Sequence, residues 1–166
     1  MNIESYFKIA KSESDLSNCL RRRIGAVIVK NGDVVGRGAN RSKEQITPCS
    51  EKGWCIRDVL NIPRGKGYDV CNSIHAEINA IISASDESLK DSTMYLVGYD
   101  AVTGKTVENL DCCKNCKASI VKVGIKMVYI KQSDNQYSRV IVKNGFKQSK
   151  LFEMDSNHSG GEHQKY

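Results

Sequence analysis

Residues 74–84 read Ile-His-Ala-Glu-Ile-Asn-Ala-Ile-Ile-Ser-Ala, an apolar pattern at helical spacing that begins on a histidine and an acid. Downstream, Cys113-Lys114-Asn115-Cys116 starts a second helical stretch that runs to Val123 and stops at Gly124, a C-cap residue. Two thiols three residues apart share one face of a first helical turn. The partial positive charge of a helix N-terminus favours their thiolates. His75, Cys113 and Cys116 can therefore grip one Zn²⁺ through three ligands and leave a fourth position to water, the arrangement of a catalytic rather than a closed structural zinc. Glu77, in the same first turn as His75, is the natural proton carrier for that water. Zinc brings the pKa of a bound water to roughly 7, so the expectation is a zinc-assisted hydrolysis.

Working outward, Thr93-Met94-Tyr95-Leu96-Val97 reads as a strand between the two helices, followed by a polar loop from Gly98 to Asp111. Upstream, an amphipathic helix over residues 3–18 precedes the β-branched run Ile24–Val29, then Asn31-Gly32, then Val34-Val35. An Asn-Gly between two such runs predicts a hairpin. Residues 40–72 form a long polar connection holding Pro48, Pro63, Gly65 and Gly67 together with Cys49, Cys55 and Cys71. A loop of that length is usually functional or pinned. Beyond the second motif, Lys126–Ile130 reads as a strand, Tyr137–Asn144 as a short helix stopped by Gly145, and Phe146–Phe152 as a last strand. The expected organisation is one catalytic domain over residues 1–152 and a polar, flexible tail over 153–166, in which His158 and His163 are solvated. Strands alternating with helices after a hairpin predict an α/β fold, helices on a central mixed sheet.

The N-terminal residues lack a secretory signal, and the longest apolar runs are too short to span a bilayer. A soluble, cytoplasmic protein is expected, in which seven cysteines serve metal or catalysis rather than disulfides. The net charge of +6 is spread along the chain, which fits a slightly basic surface or a pocket for anionic substrates. Aromatic residues make up only 7% of the chain, too few to line a single-strand nucleic-acid groove generously.

A His-x-Glu followed by a Cys-x-x-Cys is the pattern of the zinc nucleobase deaminases, whose glutamate moves protons without ligating the metal. The resemblance extends further. Cys71–Ile81 is similar to the zinc segment of the deoxycytidylate deaminase family, as are Arg23–Val29 leading into Gly38-Ala39-Asn40, and Lys117–Ile125 after the cysteine pair. Such a likeness, over residues 1 to 152, implies the cytidine deaminase-like three-layer α/β/α fold with a five-stranded mixed sheet. It further implies hydrolytic conversion of dCMP to dUMP with release of ammonia, and a homo-oligomer, commonly a hexamer. Carried over by position, Asn40 meets the nucleotide sugar and Ala26 lines the base pocket; Ala76 and Arg41 are further candidate substrate contacts. Three departures stand out: Cys112 occupies the place of the usual proline, Gly38-Ala39-Asn40-Arg41 replaces Gly-Tyr-Asn-Gly, and the loop from Gly98 to Asp111 is longer than usual.

Some members of that family bind a second, structural zinc near positions matching Cys19 and Cys49. Cys19, Cys49, Cys55 and Cys71 could close such a tetrahedral site and pin the long connection, or serve as buried apolar cysteines. A nucleotide phosphate calls for cations, and Arg41, Arg57 and Arg64, with Lys43 and Lys66 behind them, are the candidates in or beside that connection. Two other readings share these residues: a deaminase of tRNA adenosine or single-stranded DNA cytosine, and a non-catalytic zinc module. The second would have no use for Glu77.

Overall fold

The computed structural model describes residues 2–144 and 146–154. Helix α1 (Ile3–Ser14) starts at Asn2, whose Oδ1 accepts the Ser5 N–H at 2.9 Å. Its buried residues Tyr6, Phe7 and Ala10 lie at helical spacing. β1 (Arg22–Lys30) and β2 (Asp33–Ala39) pair antiparallel, and Asn31 and Gly32 turn between them at φ 52° and 89°, as a two-residue hairpin turn requires.

The long connection is not featureless. It holds β3 (Arg41–Ser42), α2 (Cys49–Lys52), α3 (Ile56–Val59) and β4 (Ser73–Ile74), with β3 and β4 paired as a separate two-stranded ribbon. There follow α4 (Ala76–Ser83), α5 (Asp86–Leu89), β5 (Thr93–Asp100), α6 (Lys114–Lys122), β6 (Met127–Lys131), β7 (Gln136–Ile141), a 3₁₀ turn at Val142–Asn144, and β8 (Lys147–Glu153).

The main sheet runs β2-β1-β5-β6-β7-β8, with β5 and β6 parallel and every other pair antiparallel. Alternation along each strand sorts side chains to two faces. Ala26, Ile28, Met94 and Leu96 pack with Ala76, Ala80, Cys116 and Ile120 of α4 and α6. Val27, Val29, Tyr95 and Val97 pack with Tyr6, Phe7 and Ala10 of α1. The three-layer α/β/α arrangement is thus as expected, but the sheet has six strands, not five.

A local misreading of the sequence hides the extra strand pairing. Tyr137–Asn144 is not a helix: its first residues form β7, and only the last three take a helical turn. Ser138, Val140 and Val142 are buried while Tyr137, Arg139 and Ile141 are half-exposed, so the run Tyr-Ser-Arg-Val-Ile-Val has strand period, and its aromatic and β-branched side chains suit a pleated surface. Gly145, proposed as the helix stop, lies outside the described residues, as do 155–166 with His158 and His163. No helix among the described residues is long and apolar enough to cross a membrane.

The seat of α4 matters most for function. A methyl group on Gly38 would collide with the Ala76 carbonyl and the Ala80 amide, so α4 lies directly on the backbone of β2. Asn79 Nδ2 donates to the Ala39 carbonyl at 2.7 Å, and Ser83 Oγ accepts the Arg37 N–H at 2.8 Å and lies 2.9 Å from the Arg37 carbonyl. The helix that begins at His75 is clamped to the sheet at its middle and at its C-terminal end.

Candidate metal centre and active-site cavity

His75 is the N-cap of α4 and Cys113 the N-cap of α6, both in extended backbone. Cys113 Sγ accepts the Cys116 N–H at 3.4 Å. Because α4 and α6 share one face of the sheet, their N-termini meet. His75 Nδ1 lies 3.4 Å from Cys113 Sγ and 3.3 Å from Cys116 Sγ, and the three ligand atoms fall within 4.8 Å of one another. Zinc–sulfur bonds near 2.3 Å and zinc–nitrogen bonds near 2.0–2.1 Å at tetrahedral angles set sulfur and nitrogen about 3.5 Å apart. The donor set and its spacing therefore fit zinc.

Electrostatics at this point favour a cation. Burial, then the Glu77 carboxylate, then Cys113, push the Cys116 thiol up; a divalent ion held there would reverse that balance and favour the thiolates. Glu77 is 5% exposed, in the first turn of α4. Cys112 is buried beside it, and its thiol is pushed up by burial and then by Glu77. Cys112 is not part of the three-residue ligand group, so it does not compete with Cys113.

A cavity of about 270 Å³ opens over the centre, with His75, Ala76, Glu77 and Cys113 in its lining. Ile24 and Leu96 add apolar wall. Asn40 also lines it, but its amide is largely occupied: Oδ1 accepts the Ile24 N–H at 2.8 Å and Nδ2 donates to the Arg22 carbonyl at 2.9 Å. One Nδ2 hydrogen and one Oδ1 lone pair stay available to a ligand. Ala26 is fully buried in the core and is not among the lining residues, and Arg41 is exposed on β3, also off the cavity. Of the cations in the long connection, Arg57 and Arg64 reach the cavity, while Lys43 and Lys66 do not.

Several lining residues were not anticipated, among them Tyr68, Arg22 and Asp111. Tyr68 sets its ring edge-on to His75 with centroids 5.0 Å apart, Arg22 enters from β1, and Asp111 from the loop before Cys112. None has a periodic signal; the only hint was the length of the connection that carries Tyr68.

Cys19, Cys49, Cys55 and Cys71 line a second cavity of about 150 Å³, next to Trp54. The Cys49 thiol is pushed up by burial and then by Cys55, Cys19 and Cys71. The four sulfurs do not form a ligand group within 4.8 Å as His75, Cys113 and Cys116 do.

Residues 1–132 match the family model described as the cytidine and deoxycytidylate deaminase zinc-binding region. The deoxycytidylate deaminase of Schizosaccharomyces pombe is 34% identical over 140 residues, covering 81% of this chain and 38% of that one. This chain thus spans well under half the length of that relative. The deoxycytidylate deaminase of Mycobacterium phage D29 is 29% identical and is covered over 94% of its length, against 78% of this chain. The crystal structure of the dCMP deaminase of cyanophage S-TIM5 in complex with dCMP and dUMP aligns with a TM-score of 0.54 at 26% identity, covering 80% of this chain and 84% of that one.

Proposed function

The chain belongs to the cytidine and deoxycytidylate deaminase family, and from that premise we propose that it deaminates a cytosine nucleotide hydrolytically, converting dCMP to dUMP and ammonia. The observation that carries this reading is the meeting of His75 Nδ1 with two sulfurs at 3.3–3.4 Å beside a buried glutamate, at the mouth of a ligand-sized cavity. Relatives named for the same reaction support it.

His75, through Nδ1, and the Cys113 and Cys116 thiolates would hold the metal. Bound there, zinc supplies the Lewis acid that makes water a nucleophile at neutral pH. Glu77 would take one proton from that water and pass it to ring N3, then take the second from the new C4 hydroxyl and pass it to the 4-amino nitrogen. The C–O bond at C4 forms first; once the amine is protonated the C–N bond breaks, C4=O forms, and the amine leaves as ammonia. Ile24 and Leu96 exclude bulk water from the base, and Asn40, held by β1, has one donor and one acceptor left for the sugar. A cytoplasmic location and a homo-oligomeric, hexameric assembly belong to the same proposal on family grounds.

Ammonia release from dCMP, dCTP, deoxycytidine and single-stranded DNA tests it, with dCMP expected to react best. Turnover of the polymer alone would move the activity to nucleic-acid editing. No turnover at full zinc occupancy would leave a metal-binding module.

Cys19, Cys49, Cys55 and Cys71 we assign to a second, structural zinc, supported by their convergence on one cavity. Loading would draw the sulfurs to about 3.8 Å spacing, as four zinc–sulfur bonds near 2.3 Å dictate. Metal analysis should then give two zinc ions per chain, falling to one in Cys55→Ser. One ion in both proteins would dispose of the second site.

A further inference from the structure

The chain between β5 and α6 delivers both a wall of the cavity and the first cysteine of the metal centre. Leu110 is 6% exposed and lines the cavity with Ile24 and Leu96, and Cys113 follows three residues later. Val107 is the last residue of this loop tied to the sheet by main chain, its N–H meeting the Gly98 carbonyl at 2.9 Å. Residues 108–112 make no backbone–backbone hydrogen bond among the described residues. Side chains therefore have to hold the stretch that carries Leu110 into Cys113.

Two of them do. Lys117 Nζ pairs with Asp111 Oδ2, and Asp111 Oδ1 accepts the Cys112 N–H at 2.8 Å. Asp111 is exposed, and a surface pair of that kind contributes little. The other hold is buried. Gln132 follows β6 and keeps its period, so that Val128, Ile130 and Gln132 all point inward. Its Nε2 donates to the Leu110 carbonyl at 3.0 Å and to Ser138 Oγ at 3.0 Å, which uses both amide hydrogens. An amide buried to 7% exposure is costly unless those bonds are made. The seat of Leu110 is prepared from the opposite side as well: a methyl group on Gly98 would lie 3.1 Å from Leu110 Cδ2.

We propose that Gln132 is a positioning residue of the active site. Its bond to the Leu110 carbonyl fixes where the Leu110 side chain meets the base and how the chain enters Cys113. Gln132 does not itself line the cavity, so it acts through Leu110 and not on the substrate. The assignment rests on the deaminase reading above. Cys112 brings no ring to fix the backbone before Cys113, which leaves the Gln132 amide as the buried tether of that approach.

The test breaks the buried pair from its two ends. Gln132→Met keeps the reach of the side chain and removes both donors, whereas Ser138→Ala removes one acceptor and leaves the bond to Leu110. Thr106→Val cuts a second tether of the loop to the β6–β7 turn, the exposed bond from Thr106 Oγ1 to Asp134 Oδ1. The readouts are kcat and KM for dCMP, Tm, and the thiolate-to-metal absorption of the cobalt(II)-loaded protein, which reports the geometry at the cysteines without turnover. Gln132→Met should lower kcat/KM on the order of 10- to 100-fold, as small misplacements in an active site do, and shift the cobalt absorption. Ser138→Ala should lower Tm, since a buried donor loses its partner, while kcat/KM and the cobalt absorption stay at the parent level. Thr106→Val should leave kcat/KM at the parent level too. Gln132→Asn, which keeps the amide on a shorter arm, should repeat the loss on a smaller scale and replaces Gln132→Met if that variant does not fold. An equal loss in Gln132→Met and Ser138→Ala would reduce Gln132 to a core stabiliser. An equal loss in Thr106→Val would make general anchoring of the loop responsible, and parent kcat/KM in the Gln132 variants would remove the role; each overturns the assignment. A parent enzyme that does not turn over dCMP refutes the deaminase reading instead, while the cobalt absorption of Gln132→Met against Ser138→Ala still judges Gln132.

Discussion

Glu77→Gln should lower kcat on dCMP by on the order of 10²–10⁴-fold, the usual worth of a positioned general acid–base, while zinc content stays at the parent level. The substitution is nearly isosteric at a site that is 5% exposed, so it tests the proton and not the packing. An amide cannot accept the proton of the attacking water. Nor does Glu77 belong to the three-residue ligand group, so its loss leaves His75, Cys113 and Cys116 to retain the metal. Ammonia release and metal analysis on the same preparation decide the matter. A kcat within tenfold of the parent would rule Glu77 out as the proton carrier, and joint loss of zinc would make it a structural residue of the centre.

The second large effect is expected from Cys116→Ser. Cys116 is 1% exposed and its sulfur is 3.3 Å from His75 Nδ1. A serine hydroxyl is a poor ligand for zinc beside a remaining thiolate, so the variant should lose one zinc ion per chain and nearly all activity. The activation at stake is about nine pKa units on a bound water, worth roughly 12 kcal/mol at about 1.4 kcal/mol per unit, far beyond what the remaining residues can replace. Stability should follow. An ion that binds only the folded chain contributes about 4 kcal/mol when present at 1,000 times its Kd. Part of the chelator-induced fall in the Tm of the parent protein should therefore vanish in Cys116→Ser. A variant that keeps the full chelator response and measurable turnover would show that the metal sits elsewhere.

The candidate metal centre was legible because each of its residues is tied to a local rule. His75 and Cys113 cap predicted helices, Cys116 follows one turn on, and Glu77 sits in a first turn; once α4 and α6 share a sheet face, their N-termini have to meet. The hairpin announced itself through Asn31-Gly32 in the same way. What stayed hidden depends on tertiary context. Tyr137–Val142 alternates buried and half-exposed side chains, but a short run with serine and arginine in it passes as a helix until β6 and β8 are seen on either side. Tyr68 and Arg22 reach the cavity from irregular chain and from a strand end, where no period marks them. Arg57 and Arg64 were named together from their chemistry. Only packing separates Arg57, which is buried, from Arg64, which pairs with Asp100.

The glycine seat of α4 on β2 has a consequence for how this protein tolerates change. Where a helix rests on side chains, its height above the sheet drifts whenever those side chains are resized. Here main chain touches main chain at Gly38, and two side-chain amide and hydroxyl clamps fix the rotation. Substitutions elsewhere in the interior can therefore accumulate without lifting the carboxylate off its target, whereas a single added methyl at that one contact would displace the whole reacting edge.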